Sequence, residues 1–219
     1  RLFALVDDAP NMRIPDPPAQ PVILRCFLDA LAWQVVADPI APVDAILKRC
    51  AHTLVEEAGL KPLVAMDSAH TFLRYWQDVG LVERIGQGDV ETLIFIHKTF
   101  GEFAAGRHLA AMPLAARMSA LSAIGADDAW DEVLSFAALI GIADDVCTHL
   151  LTVTEIDATD VARIAHCLEI CGEAQAGPSG IYRKRIFDRA FEIVCLPRQE
   201  WVIEVGIALV PAARRYPDE

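Results

Sequence analysis

Leu81-Val-Glu-Arg-Ile85 and Val90-Glu-Thr-Leu-Ile-Phe-Ile96 are the stretch on which the fold turns. Both are rich in β-branched residues. Gly86-Gln-Gly-Asp89 between them is turn sequence, so the pair predicts a β-hairpin. Upstream, the apolar period is helical. Ile23, Phe27, Leu28, Leu31 and Val35 predict a helix over Val22–Ala37, ended by Asp38-Pro39. Pro42 opens a second helix with Ile46, Leu47, Cys50, Leu54 and Val55 inward, stopped by Gly59. Asp67 or Ser68 caps a third, which carries Phe72, Leu73 and Trp76 to about Asp78 and stops at Gly80. Three helices followed by a small hairpin is the plan of a winged-helix domain.

Downstream of the hairpin the pattern is helical only. One helix runs from Lys98 toward Met112 and ends at Pro113. Further helices are expected over 114–123, 127–141, 143–152, 158–174, 179–195 and 198–213, with Gly125, Gly141 and Gly177-Pro178-Ser-Gly180 at boundaries. Helix after helix with short connections predicts antiparallel pairs stacked side by side. The expected fold is therefore mainly α: a winged-helix domain with one small hairpin, then stacked antiparallel helices of HEAT-like, α-solenoid kind. Residues 1–21, broken by Pro10, Pro15, Pro17, Pro18 and Pro21, read as an irregular lead-in. The helical and winged-helix region spans 22–113, and the helical-repeat-like region spans 114–219.

Composition narrows the function. The chain has 219 residues, 54% hydrophobic, with 19 Lys+Arg against 31 Asp+Glu and a net charge of −12. That length and apolar content suffice to bury a core and exclude wholesale disorder. The charge argues against a general nucleic-acid binder, which needs cations to displace counterions from phosphates. The longest apolar run, Val133–Ala143, is short for a membrane span and is bracketed by acids, so no membrane partner is expected. No signal peptide opens the chain, and a start at Arg1 reads as a piece of a longer protein. The six cysteines are irregularly spaced and read as reduced core thiols of a cytoplasmic protein. Cys167 and Cys171 share a helix face beside His166, but no second ligand pair stands at metal spacing.

Acids are unevenly placed. Between Asp127 and Glu173 eleven acids face one base, Arg163, which accounts for −10 of the total. Helix caps and a solvated face explain most of this; an acidic surface for a basic partner is the sharper reading. Arg183-Lys184-Arg185 with Arg189 and Tyr182 reads in the same way as a solvated face.

One segment carries a family likeness. Gly80-Leu81-Val82, then Ile94-Phe-Ile-His-Lys-Thr-Phe-Gly-Glu-Phe-Ala-Ala105 and His108-Leu109 resemble the winged-helix region of NACHT-type STAND NTPases. These are ATP-dependent switches of innate immunity, programmed death and bacterial antiphage defence. Their strand ends in Phe-x-His, and their next helix reads roughly Thr/Ser-Phe-Gln-Glu-Phe/Tyr-x-Ala-Ala. Leu28-Asp-Ala-Leu-Ala32, Thr71-Phe-Leu73 and Trp130-Asp-Glu-Val133 with Phe136, Leu139 and Gly141 extend the likeness over 22–141. Gly101 departs from it, standing where the family has Gln; with Gly106 it weakens the helix by about 1 kcal/mol each relative to Ala. No Gly-x-x-x-x-Gly-Lys-Ser/Thr occurs in the chain, so this segment is not an NTPase alone.

The resemblance implies a regulatory and sensor segment of an ATP/ADP-dependent switch. ADP or ATP with Mg would be bound by a preceding nucleotide-binding domain, and none by this segment alone. It implies that His97 contacts the β-phosphate of ADP and holds the closed state. It also implies a protein ligand or oligomer partner on the helical region. From the residues themselves, Glu102 is placed to pair with Arg107, and Phe100 and Phe103 read as core. His52, His70, His108, His149 and His166 share no metal spacing, and no nucleophile motif or paired catalytic carboxylates occur. Two other functions compete. One is a helical-repeat adaptor that works without nucleotide. The other is a winged-helix DNA-binding regulator, whose recognition helix at 67–78 would offer only His70 and Arg74 as basic groups.

Overall fold

The computed structural model of the chain describes residues 15–87, 90–124, 127–151, 156–173 and 177–218. The fold is mainly helical with one small two-stranded antiparallel sheet. It divides into two compact units, Arg1–Gly101 and Glu102–Glu219.

The first unit holds α1 (Pro21–Ala37), α2 (Val43–Ala58), α3 (Pro62–Asp78), β1 (Val82–Gln87) and β2 (Val90–Phe95), and it begins α4 (Lys98–Ala111). Pro15–Gln20 form no helix, and residues 1–14 of the expected lead-in lie outside the described residues. Pro21 stands in the first turn of α1, where its missing N–H costs no bond. Gly59 ends α2 at φ 67°, a left-handed conformation that turns the Leu60 N–H back to the Leu54 carbonyl at 3.2 Å. Phe27, Leu31, Ile46, Leu47, Leu54 and Leu73 are fully buried between the three helices. Phe27 meets Phe72 edge-on at 5.6 Å.

The hairpin pairs Val82 with Phe95 and runs in register to Gln87 opposite Val90. Val82, Leu93 and Phe95 lie on one face and pack onto the helical core. Arg84 and Glu91 continue that face past the core as an exposed ion pair at 3.1 Å. The turn residues Gly88 and Asp89 lie outside the described residues. The start of α3 corrects the expected boundary: the helix opens at Pro62, one turn and more before Asp67, with Lys61 rather than an acid or serine at its cap.

The second unit continues α4 and adds α5 (Leu114–Ile124), α6 (Asp131–Ala137), α7 (Ala143–Leu150), α8 (Ala158–Glu173), α9 (Gly180–Val194) and α10 (Gln199–Arg215). A 3-10 turn over Asp128–Trp130 leads into α6, with the Asp127 carboxylate accepting the Ala129 N–H at 3.0 Å. Between α6 and α7 the helix widens into a π turn and kinks at Gly141, whose φ of 126° no other residue adopts easily. The kinked run Asp128–Leu150 is long and apolar enough to cross a membrane by length and composition, a longer stretch than the apolar run in the sequence suggests. Half of its most apolar window is buried inside the fold.

α8 lies at the centre of the second unit, with α10 packed along it and α9 against both. The close fit depends on Gly172, where an added Cβ would stand 3.2 Å from the Pro211 ring. Asp160, at 2% exposure, receives the Arg189 guanidinium at 2.8 Å. Burial raises the Asp160 carboxyl above its usual range, against the pull of Arg189. Cys147, Cys167 and Cys171 are buried free thiols. A hydrogen bond with Cys147 and complete burial push the Cys167 thiol up, which makes it inert. Cys195 departs from the core reading, since it is exposed just after α9, and Cys26 is only half-buried.

Candidate functional site

His97 stands between β2 and α4. The strand is held by the Ile96 N–H on the Leu81 carbonyl at 3.1 Å, and the helix begins with the Phe100 N–H on the His97 carbonyl at 3.0 Å. Both of its flanks are therefore fixed by backbone bonds, while its side chain is exposed. The imidazole meets the Phe100 ring edge-on, with centroids 5.4 Å apart and planes at 87°. This is the ring contact of an otherwise exposed residue. The first N–H groups of a helix lack partners within it and carry the positive end of the dipole. An imidazole donor beside such a terminus suits an anion approaching from outside. Phe95, two residues earlier, backs this arrangement: an added Cβ on Gly101 would stand 2.9 Å from its ring. Glycine at that position thus lets the first turns of α4 lie against the strand.

The motif's other residues divide between the two units. Glu102 is buried, and the Arg107 guanidinium lies over the Phe103 ring at 5.0 Å. Phe103 is 39% exposed rather than core, and it meets Phe136 at 5.5 Å. Gly106 is the closer contact, since its Cβ would meet the Val133 carbonyl at 2.9 Å and the Ala137 nitrogen at 3.0 Å.

The eleven acids prove to be of two kinds. Asp157 caps α8 by accepting the Asp160 N–H at 2.9 Å. Asp144 accepts the Ser179 N–H at 2.6 Å, and Asp145 pairs with Arg117 at 2.8 Å. Glu155 lies outside the described residues. Asp160 pairs with Arg189, Asp127 caps the 3-10 turn that holds Asp128, and the others, Asp131, Glu132, Glu169 and Glu173, stand on α6 and α8. There a groove of about 250 Å³ has Phe136, Leu139 and Ile170 along it and Glu132, Glu169 and Glu173 at its edge. Partial burial first, then the neighbouring carboxylates, raise the Glu169 and Asp131 carboxyls.

Ser135 lines the same groove and bonds His166 Nε2 through its hydroxyl at 2.7 Å; Asp131 Oδ1 lies 3.7 Å from Nδ1. Single-sequence reading missed this trio, because Ser135 and His166 are 31 residues apart. Its only signal is spacing: Asp131, Glu132 and Ser135 share one face of α6, and His166, Glu169, Ile170 and Glu173 share one face of α8. Burial pushes His166 down to about 4, so it is neutral at pH 7. The trio is not built for acyl transfer. Asp131 is beyond hydrogen-bond distance, Ser135 sits inside a helix whose N–H groups are spent, and the surrounding carboxylates oppose a developing oxyanion.

The basic cluster on α9 is engaged locally. Arg183 stacks on Tyr216 at 4.5 Å, Lys184 pairs with Asp188 at 3.3 Å, and Arg189 bridges Asp160 and Glu192. Among the described residues no group of three His, Cys, Asp or Glu is placed to hold a metal ion. No family model, characterised protein or solved structure matches the chain.

Proposed function

We propose that the chain is the regulatory and sensor segment of an ATP/ADP-dependent switch of the NACHT-type STAND class. The observation that carries this reading is His97: an exposed imidazole, rigidly mounted between a strand and a helix N-terminus, within the motif Phe95-Ile96-His97 and Thr99-Phe100-Gly101-Glu102-Phe103. Three packed helices followed by the β1–β2 hairpin support a winged-helix arrangement for the first unit. The second unit's helices packed around α8 support a helical stack.

In this reading His97 donates a hydrogen bond to a phosphate of ADP held by a nucleotide-binding domain on the N-terminal side, where Mg would accompany ATP. ATP alters that contact and releases the winged helix, and the helical unit senses a ligand or meets a partner. A switch needs differential contact with its two nucleotide states, and a single charged hydrogen bond is of the right size. Removing such a bond costs about 1.5–3 kcal/mol. The test is ADP binding by the parent protein, with His97 intact and as His97→Ala. Loss of roughly ten- to a hundredfold in affinity is expected. Equal affinity for ADP in both forms would end the sensor reading.

DNA binding is the poorer reading for α3. Among its exposed residues His70 and Arg74 are accompanied by Asp67 and Asp78, and Leu63 and Val64 are apolar.

A further inference from the structure

α10 has two faces. Trp201, Val205, Ala208 and Ala212 are buried on one. On the other, Ile203, Ile207 and Val210 are 54%, 71% and 51% exposed. At about 100° per residue these three fall with Arg214 in one narrow arc, and Glu200 stands at its edge. Exposed residues of this size and type do not usually line up along a helix face that meets only water.

The charges on this arc are ordered. Glu200 precedes Ile207 by seven residues and Arg214 follows it by seven, so each lies about 10 Å along the axis from that centre. Among the described residues neither side chain forms an ion pair or hydrogen bond. Gly206, beside the centre, has open space where a Cβ would be, so another backbone has room to approach there.

We propose that this face binds the same face of a second copy of the chain, α10 against α10, antiparallel about a two-fold axis at Ile207. The arrangement is selected by charge. An antiparallel pair centred there sets Glu200 against Arg214 of the partner subunit twice over, and lays the apolar arcs on each other. A parallel pair would set Glu200 against Glu200 and Arg214 against Arg214. Two-fold contacts require a self-complementary patch, and an arc with an acid at one end, a base at the other and isoleucine at its centre has that property. Antiparallel helices also oppose their dipoles. One helix pair is a small interface, so the dimer is weak and concentration-dependent. This inference does not rest on the nucleotide reading, because no nucleotide contact enters it.

Sedimentation velocity of the 219-residue chain across the micromolar range tests it. The expected result is a monomer–dimer equilibrium that Ile207→Glu abolishes. Glu200→Arg and Arg214→Glu each weaken it roughly threefold or more, and the two together restore it. In a Cys195→Ser background, Ile207→Cys forms a disulfide-linked dimer through position 207, since the two-fold axis brings that position onto itself. Circular dichroism checks that each exposed-site variant keeps its helices. A chain that stays monomeric over the range overturns the proposal. So does a dimer indifferent to Ile207→Glu, or single charge reversals that the double reversal fails to rescue.

Discussion

Gly106→Ala is the perturbation that probes the second unit's packing most sharply. In an exposed helix the change would stabilise, because alanine is favoured over glycine by about 1 kcal/mol. Here the new methyl carbon would stand 2.9 Å from the Val133 carbonyl oxygen, 3.0 Å from the Ala137 nitrogen and 3.0 Å from Phe136 Cβ. Two of these atoms are α6 backbone, which moves only if the helix moves. Overpacking a tight site costs roughly 1–3 kcal/mol, and a backbone obstacle belongs toward the upper end. The balance is a net loss of about 1–2 kcal/mol, or roughly 2–8 °C in Tm for a chain of this size. Urea unfolding followed by circular dichroism measures it, with m compared between variants to check that the same surface unfolds. Gly101→Ala is the internal comparison. Its obstacle is the Phe95 ring, at 2.9 and 3.0 Å, a side chain that can turn aside, so the loss is smaller than at Gly106. A Gly106→Ala chain more stable than wild type would refute the close approach of α4 and α6.

Other outcomes follow from the same packing. Arg189→Ala leaves Asp160, whose side chain is 3% exposed, without its 2.8 Å partner, and should cost about 3 kcal/mol in urea unfolding. Asp160→Asn in that background should recover part of the loss. His166 should make stability depend on pH. Burial lowers its pKa from 6.5 to about 4, so between those values the unfolded chain binds a proton that the folded chain refuses. Stability therefore rises with pH through this window and levels off above it, by up to about 3 kcal/mol at 1.36 kcal/mol per pKa unit. The raised Asp131 and Glu169 carboxyls act in the opposite direction at the acid end, and His166→Gln isolates the histidine share by flattening the rise above pH 5. Gly141→Ala should lower Tm, because φ at 126° strains any side-chain-bearing residue even though the space beside it is open.

The hairpin and most helices were legible because each rests on a local signal. Richness in β-branched residues on either side of a turn sequence marks β1 and β2, and Gly59 marks the end of α2. The start of α3 was not legible, because Lys61-Pro62 offers no polar cap and Leu63 and Val64 lie exposed in the first turn, outside the apolar period. Gly101 and Gly106 were visible as weak points in a helix. What they admit, the Phe95 ring and the α6 backbone, depends on neighbours that a sequence does not print. The candidate site divides in the same way. His97 was visible through its motif, whereas its exposure and its Phe100 contact belong to the fold. The Ser135–His166 bond joins residues 31 apart on α6 and α8, and the face pattern of either helix alone does not say that the two meet. The α10 arc shows as three apolar residues at helical spacing, and only the burial of Trp201, Val205, Ala208 and Ala212 tells which face is the free one.

Calorimetric titration of ADP into this segment joined to the nucleotide-binding domain proposed to precede it, with His97 intact and as His97→Ala, tests the central claim most directly. The account predicts binding that the substitution weakens by about 1.5–3 kcal/mol, the worth of one charged hydrogen bond. ADP bound equally well without the imidazole, or not bound at all, would contradict it.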